Sequence, residues 1–466
     1  MMLFFFARAI KFFLKKPTDE LILLKSKTRP ATNIATTLSW ILYDFANTIY
    51  SMNVVTMYFS TWVLIDLALS DQYVSFANSF SMTLVAITMP FLGEISDRYQ
   101  RRMPFLIVYT LCCILFTALI GVSGIVFTNI HTKVSWAIFF FVIANYSYQG
   151  GLVFYNALLP SVCSPRSMGR VSGYGVALGY LGSILGLILV LPFVEGAVFG
   201  VNIPFIEGGG SVAAFIPSAI LFLVFALPSF IFIKDKITER APTSFKLNIK
   251  TSFKKVIDAV SNTKKYPGVL RFLIAKFFYE EAIQTIIIFM AVYAQKVVGF
   301  SKSETTTFLI VLTPAAIVGS AIFGVITDHL GPKKTLTVVL IGWICSLSVL
   351  VFSNSIVLFW IVGAMVGVFL GSTWTSARPL LISLVPEKML GEFFGLYSLS
   401  GKFAAIFGPI LWAAVVYLFQ SYGDIFKYKA AIFALNMMIV IGLILLQKVP
   451  NIKLKNERFQ KTQSNS

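Results

Sequence analysis

Charged side chains are scarce in this sequence. Only 12% of its 466 residues are Asp, Glu, Lys or Arg, whereas 57% are hydrophobic, and the mean hydropathy is +0.82. A soluble domain usually carries about 25% charged residues, so this composition excludes a water-soluble globular protein. The chain is therefore predicted to be an all-α polytopic membrane protein.

Residues typical of metal and redox sites are also few. The two histidines, His131 and His329, are far apart in the sequence, and the four cysteines lie in or beside apolar segments without metal-site spacing. No metal site, disulfide framework or cofactor is predicted. The sequence also lacks a glycine-rich phosphate loop with lysine and any buried serine with a nearby histidine, so no enzymatic activity is predicted.

Twelve apolar stretches are long enough to cross a membrane as helices, which takes about 20 residues. The first six predicted spans are 38–67, 73–93, 104–127, 134–159, 171–193 and 213–233. The second six are 269–295, 305–326, 336–352, 356–384, 393–419 and 430–446. They predict an N-terminal six-helix bundle over 38–233 and a C-terminal one over 268–447.

Lys and Arg concentrate on one side of the predicted membrane, and short loops rich in these residues face the cytoplasm. The basic residues of the alternate loops are Arg98, Arg101, Arg102, Arg166, Arg170, Lys333, Lys334 and Lys388. Both termini are thus predicted to be cytoplasmic, with an arm at 1–37, a linker at 234–267 and a basic tail at 448–466. This bias accounts for most of the net charge of +18, which favours contact with anionic lipid headgroups rather than with nucleic acid.

The linker contains a short amphipathic pattern. Phe253, Val256, Ile257 and Val260 recur at helical spacing between charged residues, which is typical of a helix lying on the membrane surface. A plain connecting segment is the alternative interpretation.

One short polar signature occurs twice. GEISDRYQRR begins at Gly93 and GVITDHLGPKK begins at Gly324, and their aspartates, Asp97 and Asp328, are 231 residues apart. A carboxylate at such a helix end can accept hydrogen bonds from the N-terminal amides of a neighbouring helix. The pattern resembles the loop signature of the major facilitator superfamily, which implies twelve membrane helices in two six-helix pseudo-repeat bundles.

This resemblance implies a role for the signature in the transport cycle, because the superfamily uses it to tie its two halves together when the cavity faces outward. The residues that match as a conformational lock are Gly93, Asp97, Arg98, Arg101, Arg102, Gly324, Asp328, Lys333 and Lys334. A solvated basic turn that only enforces topology is the alternative.

A narrower resemblance covers most of the chain. WILYDFANTIYS from Trp40, YNALLPSV from Tyr155, FFYEEAIQT from Phe277 and EFFGLYSLSGKFAAIFGP from Glu392 resemble the yeast vacuolar amino-acid effluxers of autophagy and their bacterial relatives. It implies a secondary transporter that works by alternating access around a midplane site. A bacterial plasma membrane is favoured over a vacuolar membrane.

Polar residues inside the spans cluster on the first, fourth, seventh and tenth predicted helices, the set that lines the cavity in the resembled fold. Such residues are costly in a membrane unless they face protein or water. The candidates for substrate or ion binding are Asp44, Asn47, Asn145, Gln149, Asn156, Glu280, Glu281, Gln284, Thr375 and Arg378. Carboxylates together with an arginine favour a small zwitterion, such as an amino acid, as the solute.

The depth of the charged residues suggests separate tasks. Asp44 and Arg378 both lie about 9 Å from the cytoplasmic ends of their helices, so they could pair across the halves as part of an inner gate, or each within its own half. Glu281 lies about 18 Å into the seventh helix, near the depth of transporter sites. Glu280 or Glu281 could carry a proton there, bind a substrate ammonium group or pair structurally.

Two other classes of function stay open for the same fold. A membrane receptor or scaffold would bind a ligand without moving it, and a lipid flippase would move amphipathic molecules. The duplicated signature and the polar lining favour transport of a small polar solute.

Overall fold

The computed structural model describes residues 33–198, 201–235, 266, 268–353 and 355–452. These ranges are helical apart from loops and one antiparallel hairpin, whose strands are β1 (Ala197–Val198) and β2 (Val201–Asn202). The predicted arm up to residue 32, the linker over 236–265 with its amphipathic pattern, and the tail beyond 452 lie outside the described residues.

Twelve α-helices of 17 to 29 residues make up most of the described chain. They are α1 Ile34–Tyr50, α2 Gln72–Arg98, α3 Met103–Val126, α4 Ile130–Ala157, α5 Met168–Glu195, α6 Phe215–Phe232, α7 Val269–Tyr293, α8 Lys302–Leu330, α9 Pro332–Phe352, α10 Ile356–Leu384, α11 Leu390–Leu418 and α12 Asp424–Gln447. Shorter helical pieces are Phe59–Thr61, Leu159–Val162, the π-helical segments Ser51–Tyr58, Trp62–Asp66 and Ala294–Val298, and the 3₁₀ turns Ser211–Ala214, Glu387–Met389 and Gln420–Tyr422.

Nine helices in the described part of the chain are long and apolar enough to cross a membrane. The helices without such a span are α1, α7 and α11. The apolar run of α1 continues into π-helical turns, α7 contains several charged residues, and the apolar stretch recognised in α11 is Phe407–Leu418. The predicted count of twelve spans in two six-helix bundles therefore stays a prediction.

Two helix boundaries differ from the sequence prediction in a way that matters for the repeated signature. Helix α2 continues to Arg98 rather than ending near Gly93, and α8 continues to Leu330. Both signature aspartates consequently lie on the last turns of long helices instead of in loops.

Local chemistry explains several helix starts. Ser301 and Glu304 form a reciprocal capping box at α8, in which the Ser301 side chain accepts from the Glu304 amide and the Glu304 carboxylate accepts from the Ser301 amide. Helix α3 has a proline at its start, where the missing amide costs nothing, and α7 follows Gly268, whose φ of +97° suits glycine.

The helices group into two compact units. The first unit contains α1–α4, α5 from Leu178, α6 and the first turns of α11 up to Gly395. The second contains α7–α10, α12, α11 from Leu396 and the start of α5 up to Ala177. The predicted domain boundaries at 38–233 and 268–447 stay predictions.

The same helix pairings occur in each unit. In the first, α1 packs on α6, α2 on α4, and α3 on both α4 and α6; in the second, α7 packs on α12, α8 on α10, and α9 on both α10 and α12. Each second-unit pair lies six helices after its counterpart. The repeated signature therefore has a structural parallel in repeated helix packing.

Candidate functional site

The strongest concentration of buried charge lies on α7. Lys276 is 1% exposed and forms an ion pair with Glu280, one helical turn further along. Its ammonium group also donates to the carbonyl oxygen of Tyr397 on α11 at 3.2 Å and lies 3.9 Å from the centre of the Tyr397 ring. We call Lys276, Glu280 and Glu281 the α7 charge cluster.

Glu281 is fully buried and has different partners from its neighbour Glu280. Its Oε1 accepts a hydrogen bond from the backbone amide of Gly408 on α11, and its Oε2 has no hydrogen-bond partner in the described structure. Pro409 follows immediately and lies inside the same helix. Glu281 is thus a buried carboxylate with one satisfied oxygen.

Helix α11 approaches the cluster closely because a glycine faces it. A methyl group at Gly401 would lie 3.0 Å from Lys276 Nζ and 3.1 Å from Glu280 Oε2. Such distances are tighter than ordinary contacts, so any side chain at this position would press on the ion pair. Gly401 is therefore part of the site, although it has no polar side chain.

The other sequence-predicted residues of the second unit are spread over α7 and α10. Gln284 and Arg378 are half-buried, and Thr375 is fully buried with its hydroxyl donating to the carbonyl of Gly371 in its own helix at 2.9 Å. Arg378 lies close enough to Tyr397 for its charge to act on the phenol. The structure therefore places Arg378 near the α11 side of the charge cluster and keeps Thr375 bonded within α10.

In the first unit, Asp44 and Asn47 are buried on α1, at 5% and 4% exposure. Asn47 Oδ1 has no hydrogen-bond partner in the described structure. Asp44 lies against α5, where a methyl group at Gly179 would be 3.8 Å from the Asp44 carboxyl carbon. Asp44 and Arg378 belong to different units, and their predicted pairing stays a prediction.

Helix α4 contributes Asn145, Gln149 and Asn156, which differ in environment. Gln149 and Asn156 are half-buried, whereas Asn145 is fully buried and donates to Ser81 Oγ at 2.8 Å and Asn78 Oδ1 at 3.2 Å, both on α2. Asn145 thus connects two helices of the same unit.

A set of hydrogen-bonded hydroxyl groups surrounds Tyr146, the residue after Asn145. Tyr146 Oη lies 3.0 Å from Thr88 Oγ1 and 3.0 Å from Tyr109 Oη, and it joins α2, α3 and α4. Tyr43 on α1 makes a separate bond of 2.6 Å to Thr110 Oγ1 on α3. Neutral hydroxyl and amide groups therefore connect α2, α3 and α4 in this part of the first unit.

The first signature aspartate caps the start of α11. Asp97 Oδ2 accepts from the Glu392 amide at 2.9 Å, and Oδ1 accepts from Arg102 Nη2 at 2.8 Å. Arg102 in turn donates to the carbonyl of Ala157 at 3.1 Å, and Arg98 pairs with Glu94 at 2.9 Å. The carboxylate lies where the dipole of a long helix favours negative charge.

The second signature aspartate repeats this arrangement at the start of α5. Asp328 Oδ1 accepts from the Gly169 amide at 2.7 Å, and Oδ2 accepts from the Arg170 amide at 3.2 Å and side chain at 2.7 Å. Lys333 donates to the Gln447 carbonyl at 2.9 Å, and Lys334 is exposed. Both aspartates thus cap the first turn of a helix of 28 or 29 residues.

Glycines allow both capping contacts. A methyl group at Gly169 would lie 2.6 Å from the Gly324 carbonyl oxygen, and one at Gly391 would lie 2.7 Å from the Gly93 carbonyl oxygen. Either change would separate the aspartate from its helix. Glycine at positions 169 and 391 is therefore needed for the close backbone contact with the signature glycines Gly324 and Gly93.

A further carboxylate lies beside the first signature, just outside α6. Asp235 accepts from the amides of Arg102 at 2.8 Å and Met103 at 3.1 Å, and it caps α3. Burial raises the pKa of Asp235 from 3.8 to about 6, although these amides and the charges of Arg102 and Arg101 lower it. This group changes charge in a mildly acidic range.

Sequence patterns did not single out several residues of these sites. Lys276 could have been found, since a lysine four residues before a glutamate lies on the same helix face and can pair with it. Gly169 and Gly391 could also have been found, because each begins a G-x-x-x-G pattern and the two patterns are 222 residues apart. Asp235, Tyr397 and Gly408 had no local signal because their partners are on distant helices.

No group of His, Cys, Asp and Glu with the arrangement of a metal site occurs in the described ranges. The chemistry available in the clusters is ion pairing, hydrogen bonding and proton exchange.

Comparison with known proteins gives concordant results. The model of the family described as "Vacuole effluxer Atg22 like" matches residues 68–458. An uncharacterized MFS-type transporter, YxiO, of Bacillus subtilis (strain 168) is 27% identical over 421 residues, which cover 88% of this chain and 94% of that protein.

Two solved structures share the fold at low sequence identity. The Major Facilitator Superfamily transporter FucP, in its outward conformation, superposes with a TM-score of 0.68 at 14% identity and covers 89% of this chain and 98% of that one. The proton:xylose symporter XylE, bound to 6-bromo-6-deoxy-D-glucose, gives 0.64 at 12% identity over 91% and 96% of the two chains.

Proposed function

The chain belongs to the Atg22-like vacuole effluxer family of major facilitator transporters, and from this premise we propose that it moves an amino acid across a membrane by alternating access, coupled to protons. A transporter of this superfamily is an integral multi-pass membrane protein that carries a small-molecule solute and is not an enzyme.

Proton coupling is supported above all by Glu281. A carboxylate buried in a membrane helix is costly to keep ionised, and Glu281 is fully buried with one oxygen bound to the Gly408 amide and the other without a hydrogen-bond partner in the described structure. Such a group can take up a proton without breaking an ion pair. XylE, which shares the fold, is a proton:xylose symporter.

The choice of an amino acid is supported by the balance of charges. The polar candidates include the carboxylate of Asp44 and the guanidinium of Arg378, which complement an ammonium and a carboxylate group. Asn47, Gln149, Asn156, Gln284 and Thr375 would add neutral hydrogen-bonding groups. A zwitterion carries both of the complementary charges, whereas a neutral sugar carries neither.

We further propose that the two signature aspartates act as conformational locks. Each holds the first turn of a long helix through backbone amides and an arginine, and such contacts can break and form again without a change in the core. Asp97 with Arg98, Arg101 and Arg102, and Asp328 with Lys333 and Lys334, would carry this role. Both ends of the chain are proposed to face the cytoplasm of a bacterial cell, with the protein in its plasma membrane.

The test is uptake of labelled neutral amino acids into proteoliposomes with and without an imposed pH gradient. Wild type is expected to accumulate one or more of these amino acids only when the gradient is imposed. In Glu281→Gln this accumulation is expected to be lower by about tenfold or more, because an amide cannot take up the proton. Glu304→Gln is the matched control, since Glu304 is fully exposed in a capping box that tolerates Gln.

Other outcomes would favour other functions. No flux for any amino acid would show that the solute assignment is wrong. Movement of labelled phospholipid between leaflets would favour a flippase, and saturable binding without flux would favour a receptor. Equal uptake by Glu281→Gln and wild type would contradict proton coupling at this residue.

A further inference from the structure

Lys276 is the unusual member of the α7 charge cluster. An ammonium group is among the most costly side chains to bury in a membrane helix, and Lys276 is 1% exposed. The structure surrounds it with a carboxylate, a carbonyl oxygen and the face of an aromatic ring, provided by Glu280 and Tyr397. Three separate contacts therefore stabilise its charge.

The partner carboxylate is fixed by the same contacts. The Glu280 side chain is 14% exposed, and Gly401 packs a glycine backbone directly against the pair. A carboxylate beside a buried ammonium is strongly favoured in its ionised form, since protonation would leave the ammonium without a counter-charge. Glu280 is thereby committed to the ion pair with Lys276.

Glu281 lies in a different direction. Successive residues of an α-helix point about 100° apart, and Glu281 faces Gly408 and Thr285 rather than the lysine. Its Oε2 and the Thr285 hydroxyl have no hydrogen-bond partner in the described structure. Two adjacent glutamates of one helix therefore occupy opposite electrostatic environments.

Among the described side chains, the remaining ionisable groups around α7 do not change this contrast. Tyr279 on α7 and Tyr397 on α11 are phenols, and the charge of Arg378 on α10 acts on Tyr397. Helix α12 places Gly442 against Tyr279, and its charged residues in the described part lie near its start, Asp424, Lys427 and Lys429, with Lys448 at its end.

We infer that Lys276 is a positioning residue for proton coupling, which keeps Glu280 in an ion pair and leaves Glu281 as the single proton carrier of α7. This inference rests on the proposed proton-coupled transport and identifies its carrier. It assigns neither proton nor solute binding to Glu280.

A charge-removal series tests the inference by transport. Lys276→Met and Glu280→Gln each leave one buried charge unpaired, so each is expected to reduce gradient-driven uptake by about tenfold or more. The double variant Lys276→Met/Glu280→Gln removes both charges at nearly constant volume and is expected to recover proton-coupled uptake to within about threefold of wild type. A double variant that is folded and monodisperse but lacks coupling would overturn the inference.

Infrared spectroscopy tests the ionisation states without any solute. Lys276→Met is expected to gain a protonated carboxyl absorption that wild type lacks and that the double variant also lacks. A wild-type band that disappears in Glu280→Gln, or no new band in Lys276→Met, would overturn the inference. If Lys276→Met does not fold, the inference is still tested by comparing the spectra of wild type and Glu280→Gln and by the uptake of the double variant.

The two measurements separate this inference from the proposed function. Absence of amino-acid uptake by wild type would defeat the proposed function, whereas the infrared result for Glu280 would stand. Coupled uptake by wild type together with a protonated Glu280 would keep the proposed function and defeat the assignment of Lys276.

Discussion

Two regions of the molecule, the hydroxyl network on α2–α4 and the α7 charge cluster, stabilise buried polarity in different ways. In the first, the hydroxyl chain through Tyr146 and the amide of Asn145 connect neighbouring helices with neutral groups. In the second, α7 holds a buried lysine and two glutamates. Neutral networks need only satisfied hydrogen bonds, whereas buried charges need counter-charges and respond to protonation. We therefore expect structural rigidity to come from the hydroxyl network around Tyr146 and coupling to come from the α7 charge cluster.

The largest effect is expected from Gly401→Ala in the second unit. The added methyl would lie 3.0 Å from Lys276 Nζ and 3.1 Å from Glu280 Oε2, so the ion pair or α11 must move by a few tenths of an ångström, with a loss of about 1–3 kcal/mol in stability. Thermal unfolding in detergent and gradient-driven uptake measure the two consequences. Gly151→Ala on α4 is the control, because its methyl would meet Tyr43 Oη at an ordinary 3.4 Å. Equal behaviour of the two variants would contradict the tight packing at Gly401.

The two signature aspartates should differ in importance. Asp97→Asn breaks a pair with Arg102, which is 13% exposed, whereas Asp328→Asn breaks one with Arg170, which is 48% exposed and better screened by water. We expect uptake to fall by about tenfold for Asp97→Asn. The fall for Asp328→Asn should be several times smaller, because exposed ion pairs contribute little to stability. Initial uptake rates at equal protein density provide the comparison. The reverse order would show that backbone capping, rather than the arginine, dominates.

The neutral network of the first unit should affect stability more than coupling. Tyr146→Phe removes hydrogen bonds to Thr88 and Tyr109, and a loss of roughly 1 kcal/mol per bond is expected. The pH dependence of uptake should remain that of wild type. Tyr279→Phe in the second unit is the control for stability, since its hydroxyl has no hydrogen-bond partner in the described structure. A shifted pH profile in Tyr146→Phe would mean that the first unit takes part in coupling.

The smallest expected effect concerns Asp235 outside the membrane spans. Because burial raises its folded-state pKa to about 6, the folded protein binds this proton more tightly than the unfolded chain does. Its contribution to stability is therefore complete below about pH 4 and is lost as the pH rises towards about 6. Asp235→Asn should make the melting temperature less dependent on pH over this interval, by a few degrees at most, because Asp235 is one of many groups that titrate there. An unchanged slope would contradict the assignment.

Several parts of the site followed from local sequence. The placement of Glu280 and Glu281 within an apolar helix required only their neighbours, and the capping role of a signature carboxylate followed from helix electrostatics. Asn145 shows the limit of such reasoning: it was selected as a cavity residue, and the structure bonds it to Ser81 and Asn78 of α2. A polar residue in a membrane helix must find a partner, but its sequence neighbours do not reveal whether that partner is a solute or another helix.

Hydropathy by itself determined the membrane class and the helical architecture, because it depends only on composition and spacing along the chain. The duplicated signature added a resemblance to the major facilitator superfamily. Tertiary structure alone decided that Lys276 neutralises Glu280, that the Gly408 amide binds Glu281, and that Asp97 and Asp328 cap α11 and α5. The physical reason is that helical periodicity determines which residues share a face of one helix, whereas the packing of distant segments determines what that face meets.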